Sequence, residues 1–213
     1  MARSKQNIGK KKIVTVIFVE GDADELIINR LLGYYRESGW RCHDDLEVRN
    51  TNGFPNERKM KSKLTQIQQT NNKTRVQFNT VFCEYDTDIF EKGLQEKPNW
   101  KKVEENLKRQ YDISHFSRIE ARTSIEDWML DDLDGLLTAL GLPKDTKLKG
   151  ATGQEKVQNL FQKINMVYNR HKGKLKIKPI IDKLDISKIR EARKKELKEF
   201  ERVLGVNTIN INK

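Results

Sequence analysis

The sequence predicts an α/β fold: a mainly parallel sheet flanked by helices, followed by a basic C-terminal helical extension. Three observations predict it. β-branched and apolar runs of strand length recur at residues 13–19, 76–85 and 113–122. Segments with helical apolar spacing alternate with them, an order that predicts a parallel sheet with helices on both faces. Acidic residues gather where strands end, and in open α/β sheets the ligand crevice lies at the strands' carboxyl ends.

The elements follow in order. Residues 13–19 form the first strand, stopped by Glu20-Gly21. Residues 24–36 place Leu26, Ile27, Ile28, Leu31 and Leu32 on one helical face and end at Ser38-Gly39. Residues 45–48 read as a second strand leading into the turn-rich loop 50–55. Residues 56–69 make a polar helix with Met60, Leu64 and Ile67 inward. The strand at 76–85 is followed by an amphipathic helix at 100–111 with Val103 and Leu107 inward, and then by the strand at 113–122. Residues 124–140 read as one helix, stopped by Gly141 and Pro143. After a charged connection at 144–153, residues 155–168 read as a helix with Val157, Leu160, Phe161, Ile164 and Val167 on its apolar side. Residues 171–178 alternate Lys with apolar residues, as an exposed strand or a basic loop. Residues 187–204 form a last helix with Ile189, Leu197, Phe200 and Leu204 inward, and 208–213 either add an edge strand or fray. Trp128, Phe161, Tyr168 and Phe200 fall at helical core spacing, a better assignment for them than base stacking.

Length and charge bound the organisation. The 213 residues suffice for one substantial core. Residues 1–12 read as a basic tail, 13–140 as the α/β domain, and 141–213 as a basic, mainly helical extension packed on it. Residues 141–213 hold 19 Lys and Arg against 8 Asp and Glu, whereas residues 1–140 hold 23 of each, so the whole net charge of +11 falls in the extension. A neutral acid-bearing block with a basic end suits a polyanionic partner, although Lys-rich runs also make solvated helix faces with good i,i+4 pairs. No window approaches the ~18 apolar residues that cross a bilayer, and the N-terminus is a poor signal peptide. Cys42 and Cys83 have no metal-binding spacing and read as reduced thiols of a cytoplasmic protein. His43, His115 and His171 lie too far apart in sequence to suggest a zinc site.

The acids carry the chemistry. Glu20 stands at the end of the first strand, and Asp22, Asp24 and Glu25 fall in the first turn of the next helix, where negative charge is also an ordinary helix-start signal. Asp86 and Asp88 follow the strand at 76–85, and alternation would aim both carboxylates at one point with Thr87 turned away. Like charges so placed repel unless a cation lies between them. Hard divalent ions such as magnesium take such oxygen ligands, although Asp is also a common turn residue. In the third cluster Thr123 or Ser124 would cap a helix with Glu126 or Asp127 near its third position, which is also the spacing of a capping box.

These motifs together, V-E-G-x-x-D-E, D-x-D and S-x-E, resemble the Toprim domain over roughly residues 13–135. They are most similar to the nuclease half of the OLD (overcoming lysogenization defect) family. Glu20 matches the first-motif glutamate, Asp24 the acid four positions on, Asp86 and Asp88 the D-x-D pair, and Ser124 with Glu126 the S-x-E element. The resemblance implies that Glu20, Asp24, Asp86, Asp88, Ser124 and Glu126 hold one or two magnesium or manganese ions for phosphodiester chemistry. It also implies a downstream lysine, for which Lys156 ranks first because it opens a helix after Gly153. No G-x-x-x-x-G-K-[ST] loop is present, so the ATPase that accompanies such nucleases would be a separate protein partner, in phage-defence or mobile-element biology.

The expected activity is thus a metal-dependent nuclease acting on DNA or RNA. Glu20, Asp86, Asp88, Glu126 and Lys156 would be catalytic, with Glu20 as either ligand or general base. Lys172, Lys174, Lys176 and Lys178 are the expected nucleic-acid contacts. The alternatives are a non-catalytic Toprim-like nucleic-acid-binding module and an RNA-processing Toprim endonuclease.

Overall fold

The computed structural model describes residues 12–70, 75–93, 95–171 and 173–206. Four strands, β1 (Lys12–Val19), β2 (Asp45–Asn50), β3 (Val76–Asp86) and β4 (His115–Ala121), form one sheet in the order β2-β1-β3-β4, and every neighbouring pair is parallel. The protein is therefore α/β, with a parallel sheet flanked by helices. The connections are α1 (Asp22–Glu37), α2 (Glu57–Thr70), the single turn α3 (Asp88–Glu91) and α4 (Trp100–Tyr111). Beyond β4 come α5 (Ile125–Leu130), α6 (Leu133–Ala139), α7 (Gly153–Lys163), α8 (Lys174–Ile181), α9 (Ile186–Ala192) and α10 (Lys194–Leu204). Among the described residues no helix is long and apolar enough to cross a membrane.

Strand alternation divides the core into two layers. Val14, Val16 and Phe18 of β1 pack with Met60, Leu64 and Leu107 of α2 and α4. Ile17 and Val19 face the opposite layer, which α1 shares with residues from α5 to α10. A register shift between β1 and β3 at Val14/Thr15 decides what β3 presents. Phe78 and Val81 lie in the same layer with one residue too many between them, so Asn79-Thr80 forms a bulge that resets the parity of the strand. From there on Phe82, Glu84 and Asp86 share the face toward α1. Phe82 meets Phe200 of α10 there, ring centroids 4.9 Å apart.

Several elements depart from the sequence-based expectation. The helix expected over 124–140 breaks at Asp131-Asp132, because the Asp132 side chain accepts the Gly135 N–H at 3.3 Å and starts α6 afresh. A Cβ at position 135 would lie 1.8 Å from the Asp132 carboxylate, so only glycine allows this cap. The helix expected over 155–168 stops at Lys163, with Asn165 left-handed at φ 56°, so Val167 is 81% exposed instead of inward and Tyr168 lies outside the helix. The Lys/apolar alternation at 171–178 is neither strand nor loop. Lys174 to Ile181 is helical, and Ile177, Ile180 and Ile181 supply the buried face at 3.6-residue spacing. The last helix divides at Arg193 into α9 and α10. Residues 208–213 and Lys172 lie outside the described residues.

Candidate metal centre

The acid site is built where β1 and β3 end. Glu20 follows the last residue of β1, Asp24 sits in the first turn of α1, and Glu84 and Asp86 are the inward-facing pair at the end of β3. Glu126 lies in the first turn of α5, and all five side chains are buried. Backbone donors fix two of them. Asp86 Oδ1 accepts the Ile125 N–H at 3.0 Å, at the N-terminus of α5, and Glu20 Oε1 accepts the Asp86 N–H at 3.2 Å. Oxygens of Asp24, Glu84 and Asp86 lie within 4.8 Å of one another.

The segment between α7 and α8 brings the counter-charge. Arg170 donates to Asp24 in a fork, Nη2 to Oδ1 at 2.6 Å and Nε to Oδ2 at 3.3 Å; its Nη1 bonds Asp86, and Nη2 stands 3.8 Å from Glu20. Tyr168 donates its hydroxyl to Glu126 Oε1 at 2.8 Å. This strap is locked on α1 by reciprocal capping. The Arg170 carbonyl accepts the N–H groups of Asp22 and Ala23 at 2.9 and 3.3 Å, and Asp22 Oδ2 accepts those of Gly173 and Lys174 at 3.0 Å each. Gly21 permits the approach, since a Cβ there would come within 2.9 Å of the Arg170 carbonyl oxygen.

One guanidinium does not satisfy five carboxylates. Among the described residues, both oxygens of Glu84 and Oε2 of Glu126 are buried without a hydrogen-bond partner. Burial raises the pKa of Glu20 to about 7, with Arg170 lowering it and Asp24 raising it. Burial pushes Glu84 and Asp86 well above the ordinary carboxylate range, helped in both by the charge of Asp24. Burial disfavours the charge on Arg170, but Asp24 and Asp86 more than compensate and hold it protonated.

The remaining sequence-based candidates are placed as follows. Asp88 does not share a face with Asp86, because β3 ends at Asp86 and Asp88 opens α3, bonded to Lys92 at 2.6 Å. The alternating pair is Glu84 and Asp86, one step earlier. Asp88 remains near enough for its charge to help raise Glu20. Ser124 is the N-cap of α5 without a capping bond, so the expected capping box is absent, and its hydroxyl donates to Asp127 at 3.1 Å. No hydrogen bond or ion pair joins Lys156 to the acids among the described residues. Lys59 lies closer: burial lowers its pKa, with the charge of Glu20 opposing, and its Nζ donates to the Asn52 carbonyl at 2.8 Å. Of the expected nucleic-acid contacts, Lys174 is paired with Glu25 and Lys178 with Asp182, each at 2.5 Å.

Sequence reasoning missed Glu84 and Arg170. Glu84 interrupts the run Val81-Phe82-Cys83-Glu84-Tyr85, and a charge inside such an apolar run was the available signal. Arg170 reaches the acids only through a tertiary contact across 146 residues from Asp24. Comparison of the chain with protein-family models, curated proteins and solved structures finds no match.

Proposed function

We propose that the chain is a divalent-metal-dependent nuclease of Toprim type that cleaves nucleic-acid phosphodiester bonds. One observation carries the reading: buried carboxylates converge at the carboxyl ends of parallel strands, with three of their oxygens left without a partner among the described residues. A hard cation with oxygen ligands fits that donor set. Asp24, Glu84 and Asp86 would hold it, with Glu20 and Glu126 beside them. Bound magnesium or manganese supplies Lewis acidity and a lowered pKa for water at the site.

The chain's own groups supply the rest. Glu20, whose pKa burial raises to about 7 before any metal binds and which a bound cation would return to the carboxylate form, is the group to take a proton from an attacking water. Arg170 orients Asp24 and Asp86 and places positive charge where a phosphoryl group would gain negative charge. Tyr168 fixes one oxygen of Glu126 and leaves the other available. Phage-defence or mobile-element biology with a separate ATPase partner belongs to the same proposal.

A second reading rests on Arg170 itself. A guanidinium already seated on Asp24 and Asp86 favours a non-catalytic nucleic-acid-binding module in which Arg170 is the permanent cation. Incubating the full chain with labelled DNA and RNA in magnesium, in manganese and in chelator separates the two. Metal-dependent products support the nuclease; binding without products in any metal supports the module.

A further inference from the structure

A cleft of about 590 Å³ opens along the free edge of β4, between α3 and the start of α10. Thr87, the residue after Asp86, lines it together with Phe90, Lys97, Arg118, Arg122 and Lys195. Arg118 is already engaged, 5.6 Å from the centre of the Trp100 ring and 3.0 Å from Glu120. The carboxylates of the cleft have partners as well. Glu120 accepts the Tyr85 hydroxyl at 2.6 Å, Glu91 the Thr87 hydroxyl at 3.3 Å, and Glu196 Oε1 an Arg193 N–H at 3.4 Å, while Glu196 Oε2 is buried without a hydrogen-bond partner among the described residues. Lys97, Arg122 and Lys195 are exposed and have no ion pair among the described residues.

Further down the same edge the polarity reverses. The adjoining hollow of about 460 Å³ sets Lys101 and Arg118 against Glu104, Glu120 and Glu199. The anion-attracting stretch is thus confined to the end beside the carboxylates. The two sites share one turn: Asp86 faces the acids and Thr87 faces the cleft. The Thr87 N–H donates to the Ala121 carbonyl at 3.1 Å, and the Thr123 N–H to the Thr87 hydroxyl at 3.0 Å.

We infer that this cleft binds a short single-stranded stretch of nucleic acid beside the bond to be cut, with Lys97, Arg122 and Lys195 as its phosphate contacts. The inference rests on the nuclease reading of the carboxylate cluster. A cleft of this volume suits a nucleotide or two and not a duplex. Phe90 is half-buried and packs edge-to-face with Phe54 and Tyr85. Unpaired cations around the part of it that lines the cleft are the combination that holds single strands, charge on the backbone and an aromatic side chain beside a base. The substrate path therefore runs along β4 and not over the lysines of α8, two of which are spent on ion pairs.

Fluorescence anisotropy of the full chain with labelled 12-nucleotide dT and U strands and a 12-base-pair duplex, all in chelator, tests it. Replacing Lys97→Glu, Arg122→Glu and Lys195→Glu together should weaken single-strand binding at least tenfold near 50 mM salt. It should also make the salt dependence shallower by roughly 2, at ~0.7 per lost phosphate contact. The matched change in charge, Lys174→Glu, Lys176→Glu and Lys178→Glu together, should cost less than threefold. Circular dichroism and melting verify the fold of both, and Arg122→Gln alone should still weaken binding. Equal losses in the two triple variants, unchanged binding in the first, or tighter binding of the duplex would overturn the inference. Wild-type binding in chelator with no products in magnesium or manganese would remove the nuclease reading and leave the cleft standing. Cleavage by a protein whose binding ignores the cleft variant would do the reverse.

Discussion

At the scale of single residues, the chemistry is concentrated in carboxylates that the fold holds in an unfavourable place. Neither carboxylate oxygen of Glu84 has a hydrogen-bond partner among the described residues, and Asp86 shares Arg170 with Asp24. Glu84→Gln and Asp86→Asn should therefore each abolish metal-dependent cleavage and weaken divalent-ion binding by at least tenfold in calorimetry. Asp88→Asn should reduce both only a few-fold, since Asp88 lies in α3 bonded to Lys92. Equal loss in Asp88→Asn would return it to the ligand set. Glu20 gives a pH prediction. Its proton is held to about pH 7 in the folded chain, against an ordinary value of 4.5. The native state therefore binds more protons than the unfolded state across that window, and stability falls as pH rises through it. The upper bound from a shift of this size is ~3 kcal/mol. In chelator, the melting temperature should drop between pH 5 and pH 7.5, and Glu20→Gln should flatten that drop. A parallel fall in the variant would assign the dependence to Glu84 and Asp86 instead.

At the scale of elements, the parallel sheet and the alternation of strands and helices along the chain were legible because strand runs and helix spacing carry their own periods; the strand order β2-β1-β3-β4 was not. What escaped was whatever a side chain or a distant segment decides. Asp132 interrupts a continuous apolar helix pattern by capping α6, and no period announces that. Glu84, Asp86 and Asp88 have the same parity, but β3 ends at Asp86 and Asp88 opens α3, so the alternation rule, applied at Asp86 and Asp88, fell one step late. The strap carrying Tyr168 and Arg170 is legible only in three dimensions. Arg170→Met tests its role, because it leaves Asp24 and Asp86 buried without their cation. Breaking a buried pair in this way costs ~3–5 kcal/mol. Urea unfolding in chelator at pH 7.5 should show a loss of that order. Magnesium should restore part of it by binding only the native state, as RT ln(1 + [L]/Kd). No recovery with magnesium would mean that the acids do not take a divalent ion in Arg170's place, which favours the permanent-cation reading.

At the scale of the whole molecule, charge and packing give residues 141–213 two roles. The segment carries the net positive charge of the chain, yet many of its cations are used internally: Arg190 on Glu201, Arg193 on Asp131, Lys188 on Asp132 and Arg170 on the site. Its apolar residues belong to the same layer as Ile17, Val19, Phe82 and Ile119 of the sheet, through Phe161, Ile177, Ile181, Ile189, Leu197 and Phe200. Each such burial stabilises by ~1.5–3 kcal/mol, while a whole domain is stable by only ~5–15 kcal/mol. Losing these six side chains together would remove about 9–18 kcal/mol, as much as the whole stability of a domain. It would also leave Glu84 and Asp86 without Arg170 on an uncovered sheet face. A chain of residues 1–140, which keeps every strand and all five acids of the site, should therefore melt without a cooperative transition and be digested rapidly by protease at concentrations that spare the full chain. A sharp melt of that fragment, with magnesium raising its midpoint, would show that the carboxylate site folds and binds without the strap.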